Sequence, residues 1–281
     1  LFFSLTTILY SQTSKKTGIS RAHLQEFQKN LIINGETGGN VIVVSKNGKV
    51  VYHHIENSNK TGDKTITDQT LFPIWSMTKP VTTIAALILK EKNLLDFNDP
   101  VSKYIPALKN LMCKSKAGII PCKNEIKIID LITHLSGLSY YKDFMLDGMR
   151  AEGLEDLMED IAEQPLEFEP GERYFYGLGH DVLGRVIEVV SGASFQAFMQ
   201  TYIFEPLEMN HTKFFLTPKE KELMLPLFVR NEKIEGFNET GITGINDLIT
   251  YDMEFKVAYG SLGLISTPKD FSNFCSMIIN R

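Results

Sequence analysis

The sequence predicts a mixed α/β protein in which an antiparallel sheet is packed by helices, and three local patterns carry that expectation. Two runs rich in β-branched residues, 41–45 and 50–54, flank Asn47-Gly48, a dipeptide suited to a tight hairpin because both positions tolerate positive φ. From Ser76 onward the period changes, and Val81, Ile84, Ala85, Ile88 and Leu89 fall on one face of a helix. Leu178, Val182, Val186 and Val190 repeat at helical spacing and stop at Ser191-Gly192, where glycine suits a helix C-terminus.

In chain order, the first element is an apolar block over residues 1–10, opening on Leu1 and followed by Ser11, Gln12, Thr13 and Ser14. It reads as the remnant of a signal segment, with residues 1–20 as a leader, and export to a periplasmic or extracellular space is the matching expectation. The hairpin comes next. The helix after Ser76 has Thr82, Thr83, Ala86 and Leu87 on its remaining face, which is barely polar, so burial on most sides is expected. Residues 99–124 carry scattered Pro, Lys and Cys without periodicity and read as a loop or lobe boundary. A helix is expected over 125–135, stopped by Ser136-Gly137, and Pro170-Gly171 marks a turn before the helix at 178–190. A last helix begins near Ser266, with Thr267 as N-cap, Pro268 in the first turn and Asp270 at the capping-box position.

With 281 residues, 43% of them hydrophobic, the chain is long enough for a substantial core. A net charge of -5 argues against a nucleic-acid partner. Outside the N-terminus no run approaches the roughly 20 apolar residues of a membrane span. Three cysteines without a CxxC pair support neither a disulfide framework nor a zinc site, although Cys113 and Cys122 could close a small loop in an oxidising compartment or remain as thiols. The six histidines include His53-His54 but no HExxH spacing, so neither a metal nor an organic cofactor is expected.

The stretch at 72–82, FPIWSMTKPVT, sets Ser76 and Lys79 three residues apart at the start of a buried helix. A serine hydroxyl needs a neighbouring base to become a nucleophile, and a lysine at i+3 lies on the same helix face. Burial or nearby positive charge can make such an amine neutral and able to accept a proton. Ser-x-x-Lys occurs at Ser76/Lys79, Ser139/Lys142 and Ser266/Lys269, and context separates them. Ser139 follows Ser136-Gly137 in an expected loop, and Lys269 sits in the solvated first turn of a helix. Only Ser76 opens a long apolar helix.

Ser76-Met77-Thr78-Lys79 resembles the active-site motif of the serine β-lactamase and penicillin-binding-protein superfamily, in the branch holding class C β-lactamases, D-alanyl-D-alanine peptidases and related esterases. Residues 128–138, IIDLITHLSGL, resemble the family's leucine-rich helix ending in T-H-x-S-G-L. Residues 170–176, PGERYFY, resemble its approach to a catalytic tyrosine, and DVLGRVIE at 181–188 continues in register. GSLGLISTPKD at 260–270 is similar to the family's G-G-x-G-L-x-S-T-x-x-D block, so the likeness spans residues 37–281 in the family's order.

The resemblance implies an antiparallel sheet flanked by helices, a mostly helical lobe over roughly residues 111–250, and a site in the cleft between them. It implies that Ser76 is acylated, that Lys79 takes its proton, that Tyr176 shuttles the proton to the leaving group, and that the Ser76 N–H forms half of an oxyanion hole. Tyr176 is otherwise one of ten tyrosines. Gly177 and Leu178 occupy the substrate-binding positions of the second motif, Tyr-x-Asn in β-lactamases. Leu178 has no amide to offer, which leans toward the esterase-like members acting on a small ester, amide or peptide. A β-lactamase or D-alanyl-D-alanine carboxypeptidase is the nearest alternative, and a binding or scaffold protein of the same fold is the alternative of another class. The third motif, Lys-Thr-Gly or His-x-Gly, is expected after the 260–270 block. Lys16-Thr17-Gly18 and Lys60-Thr61-Gly62 precede Ser76 and count as coincidences. A catalytic domain over 21–281 that continues past Arg281 is therefore expected, with an uncovered sheet edge and weak stability or activity in this piece alone.

Overall fold

A computed structural model describes Gly18, residues 20–60, 62–141, Phe144, Asp147 and residues 150–230, 236–241 and 251–279. The expected signal remnant, Lys16-Thr17, Thr61 and Lys142 lie outside the described residues. The first helix, α1 (Arg21–Ile33), leads into the expected hairpin, β1 (Gly39–Lys46) and β2 (Lys49–Asn57), paired antiparallel. Asn47 and Gly48 take φ of 52° and 69°, the two positive values that a tight turn of matching twist requires. Buried Gln28 locks α1 to the hairpin: its Oε1 accepts the Tyr52 hydroxyl at 2.7 Å and its Nε2 donates to His54 O at 3.0 Å.

Ser76 does not open the next helix as expected. It stands in a 3₁₀ turn, Trp75–Met77, and α2 runs Thr78–Glu91. Trp75 has φ of 42°, a left-handed conformation uncommon for a bulky residue, and a chain bent this way enters the helix through a tighter turn. The 128–138 block gives only α3 (Ile128–Ile132), held at its start by the Lys127 N–H donating to Asp130 Oδ2 at 2.9 Å. It ends early because His134 is also left-handed, φ 59°. The segment expected to be a loop contains a second hairpin, β4 (Met112–Ser115) and β5 (Gly118–Pro121), closed by a Cys113–Cys122 disulfide. Closing a loop of nine-residue separation contributes about 2–3 kcal/mol by restricting the unfolded chain.

After α4 (Asp156–Glu163), α5 (Gly179–Ser191) ends at Gly192 with φ of 71°, the expected left-handed cap. Helix α5 packs against α2 and α3, and Val81, Ala85, Leu131, Val182 and Val186 meet in one core. Then follow α6 (Phe195–Met199), extended by a π turn, α7 (Pro218–Lys221), β6 (Leu227–Arg230) with β7 (Phe237–Gly241), β8 (Ile265–Ser266) and α8 (Pro268–Ile279). Thr267 caps α8, its Oγ1 accepting the Asp270 N–H at 3.2 Å, but the Asp270 carboxylate does not return to the cap. It instead accepts His211 N–H at 2.7 Å and Thr212 Oγ1 at 3.1 Å. Helix α8 lies on β1, where Ser45 and Ser272 hydroxyls meet at 2.8 Å.

Among the described residues the strands form four two-stranded antiparallel pairs and not one continuous sheet. The pair that matters for the site is β3 (Phe72–Pro73) with β8. It brings residues 258–266 alongside the run that carries Ser76. No single described helix is long and apolar enough to cross a membrane.

Candidate active site

Three hydrogen bonds dock the Ser76 turn. Ile74 N–H donates to Leu264 O at 3.0 Å, Leu264 N–H donates to Thr78 Oγ1 at 3.1 Å, and Thr82 Oγ1 donates to Gly260 O at 2.7 Å. The left-handed Trp75 turns the chain outward at the next residue, so Ser76 is exposed while Thr78 and Lys79 are buried. Lys79 lies in the first turn of α2, and its Nζ is 3.2 Å from Ser76 Oγ and 2.9 Å from Ser261 O. Tyr176 approaches from the other side: its hydroxyl is 2.6 Å from Ser76 Oγ, and Lys79 Nζ is 4.6 Å from its ring centre. The serine oxygen thus stands between an amine and a phenol, each within proton-transfer distance.

Tyr176 is set by the segment before it, where Gly171 N–H donates to Leu135 O at 2.9 Å and Phe175 N–H to His134 O at 2.8 Å. Behind it the His134 ring lies 4.6 Å from the Tyr176 ring and 5.1 Å from that of His180. Burial first, then the Lys79 charge, holds His134 below its ordinary range. Burial, then His134, then Lys79 holds His180 down to about 3. Both imidazoles are neutral in the working range, and His180 Nε2 meets Thr83 Oγ1 at 3.2 Å.

His180 makes stability depend on pH. It binds a proton near 6.5 when unfolded but only near 3 when folded, so stability falls as pH drops through that window. Asp181 opposes it. Its carboxyl is pushed up to about 6 from 3.8 by burial, so protonation through that interval favours the fold, by less because the displacement is smaller. His180→Gln is expected to lose less thermal stability between pH 7 and pH 4 than the parent, the gap being on the order of a few kcal/mol. Parallel Tm-against-pH curves for the two proteins would show that His180 takes its proton on unfolding and not in the folded state.

Gly177 and Leu178, the expected substrate-binding positions, are both buried. Leu178 is 1% exposed and belongs to the core, and Gly177 is buried against the main chain of Leu138, where a Cβ would stand 1.8 Å from the carbonyl oxygen. Both positions are consumed by packing beneath Tyr176. Of the other Ser-x-x-Lys pairs, Ser139 Oγ donates to Glu167 Oε1 at 3.1 Å, and Ser266 is buried with its hydroxyl 2.8 Å from Thr212 Oγ1 while Lys269 is exposed. Among the described residues Cys113, Cys122 and Glu169 are the one cluster near enough to gather a metal, and its sulfurs are joined to each other. Asp181, Ser261, His134 and His180 received no role from the sequence. The available signal was a carboxylate and an imidazole placed in an otherwise apolar helix.

The β-lactamase family model matches residues 21–280. The chain belongs to the β-lactamase family. It is 26% identical over 199 residues to esterase EstB of Burkholderia gladioli, covering 65% of this chain and 48% of that protein. It is 30% identical over 240 residues to lovastatin esterase of Penicillium rubens, covering 78% and 59%, and 27% identical over 231 residues to a putative D-alanyl-D-alanine carboxypeptidase of Salmonella heidelberg, covering 76% and 52%. The chain therefore spans about half the length of these curated relatives. Among solved structures, EstCE1, a hydrolase with promiscuous acyltransferase activity, superposes with a TM-score of 0.74 at 21% identity, over 98% of this chain and 74% of that one. FmtA from Staphylococcus aureus gives 0.68 at 25%, over 91% and 65%. This β-lactamase-type architecture is the fold class that the motifs predicted.

Proposed function

We propose that this family member is a serine hydrolase that forms an acyl-enzyme on Ser76, with an ester or amide of a small molecule as substrate. The observation that carries the reading is the placement of Ser76 Oγ 3.2 Å from Lys79 Nζ and 2.6 Å from the Tyr176 hydroxyl. Ser76 Oγ attacks the substrate carbonyl carbon while its proton passes to Lys79 or to Tyr176 as phenolate. The Ser76 N–H stabilises the oxyanion. Collapse of the tetrahedral intermediate breaks the bond to the leaving group, which takes the proton through Tyr176. Water then attacks the acyl carbon, and its proton returns to Ser76 as the acid leaves.

Ester hydrolysis is favoured within the family because Leu178 is in the core, so the second motif offers no side-chain amide to a β-lactam or peptide. The esterases among the relatives point the same way. Carboxypeptidase action is the second reading, supported by the Salmonella relative. The catalytic domain extends over 21–281 with its helical lobe at roughly 111–250, and the Cys113–Cys122 disulfide supports export into an oxidising compartment.

Intact-mass analysis after exposure to a fluorophosphonate tests the reading. One phosphonyl adduct on the full natural protein, and none on Ser76→Ala, is the expected result. A folded protein without an adduct, or an adduct that survives Ser76→Ala, rejects it. In a parallel sample, a penicillin adduct that clears slowly selects the carboxypeptidase reading.

A further inference from the structure

Asp181 takes no part in the chemistry above, yet it is completely buried, in the first turn of α5. Its Oδ1 accepts the Ser261 N–H at 2.9 Å, and its Oδ2 has no hydrogen-bond partner among the described residues. A buried carboxylate left half-satisfied is expensive unless nearby charge compensates it. The titratable groups that face it among the described residues are Lys79 from α2, Tyr140 from the segment after α3, and Tyr259 from the segment before β8. Burial and the Asp181 charge both push the two phenols upward, so they stay neutral and Lys79 is the cation of the group.

Ser261 ties the two together. Its N–H is held by Asp181, while its carbonyl accepts Lys79 Nζ at 2.9 Å. One residue is therefore gripped at one end by α5 and grips the amine at the other. The neighbouring residue, Gly260, is fixed by Thr82 Oγ1 at 2.7 Å, so the link has little freedom to slide.

We propose that Asp181 is a positioning residue for the reaction at Ser76: through the Ser261 main chain it orients the Lys79 amine. The inference rests on the proposed role of Lys79 as the base for Ser76. The Asp181 carboxyl titrates at about 6, so variants and parent are compared above that pH.

The test measures the rate of Ser76 phosphonylation at a fixed pH above that value in the full natural protein, in Asp181→Asn, in Asp181→Ser and in Asp181→Ala, with thermal unfolding recorded for each. Asp181→Asn keeps an oxygen for the Ser261 N–H, so its rate is expected within about threefold of the parent. Asp181→Ser and Asp181→Ala lose the link, and their rates fall about tenfold or more. Either of these two reads the link, so one that does not fold leaves the test standing. A role confined to stability lowers Tm and leaves the rate of the folded variants at that of the parent, and that outcome, or an Asp181→Asn rate as low as that of Asp181→Ser or Asp181→Ala, overturns the proposal. Failure of the underlying reading is distinguishable, because it appears in the parent as no labelling or as labelling that survives Ser76→Ala.

Discussion

Lys79→Met is expected to slow acylation of Ser76 by about 10²–10⁴-fold and to lower stability on the order of a few kcal/mol. The amine is buried, 5% exposed, with Ser76 Oγ, Ser261 O and the face of the Tyr176 ring as its surroundings. An unbranched side chain of similar volume opens no cavity, but it leaves the buried Asp181 carboxylate without its cation. What disappears is the group that accepts the Ser76 proton. Lys79→Arg makes the control: it keeps a positive charge and hydrogen-bond donors but cannot accept a proton, so it should be as slow as Lys79→Met. Stopped-flow or timed mass spectrometry of phosphonyl transfer reads all three proteins. An arginine variant that reacts at the parent rate would mean that the charge at position 79, and not its basicity, serves the serine.

The parts of the fold legible in the sequence are those specified by neighbours along the chain. Asn47-Gly48 encodes its hairpin because two positive φ values are enough to define the turn, and α5 is announced by its apolar repeat and by Gly192. Ser76 and Lys79 are legible for the same reason, being one helical turn apart. Tyr176 lies 100 residues from Ser76, and only its motif pointed to it. Features decided by distant partners were not legible. The 125–135 segment has a helical composition, but His134 leaves the helix and its carbonyl accepts the Phe175 N–H of the Tyr176 segment. Asp270 sits where a capping box would use it, and buried donors at His211 and Thr212 take it instead. The β4–β5 hairpin alternates weakly and is fixed by its disulfide and by a parallel bridge from Cys113 to Leu166. Leu178 and Gly177 sit at substrate positions of a motif, yet burial in this chain gives them to the core. Asp181 holds Ser261 by that residue's main-chain N–H, a contact that leaves no trace in the side chain at 261.

The residue before Ser261 is a glycine with little room for change. Gly260→Ala is expected to lower stability by about 2–3 kcal/mol and to slow Ser76 acylation by about 10²-fold. An added Cβ would stand 2.1 Å from His180 O and 3.0 Å from His180 C, both main-chain atoms of α5 that no rotamer change can move. The methyl group must therefore separate the 258–264 segment from the first turn of α5. Thr82 Oγ1 holds Gly260 O, and Asp181 Oδ1 holds the Ser261 N–H, so the displacement passes directly to the Ser261 carbonyl and from there to Lys79 Nζ. A misplacement of about 1 Å is enough to remove a base from reaction distance. Gly153→Ala supplies the comparison, since nothing lies within 4 Å of the Cβ it would add, and it should match the parent in both Tm and labelling rate. If Gly260→Ala matched it too, the contact between the two segments would have slack, and the positions of Ser261 and Lys79 would have to be set from the α2 side alone. If Tm fell while the labelling rate held, the Ser261 carbonyl would be dispensable for orienting the amine, and Asp181 would have no positioning role.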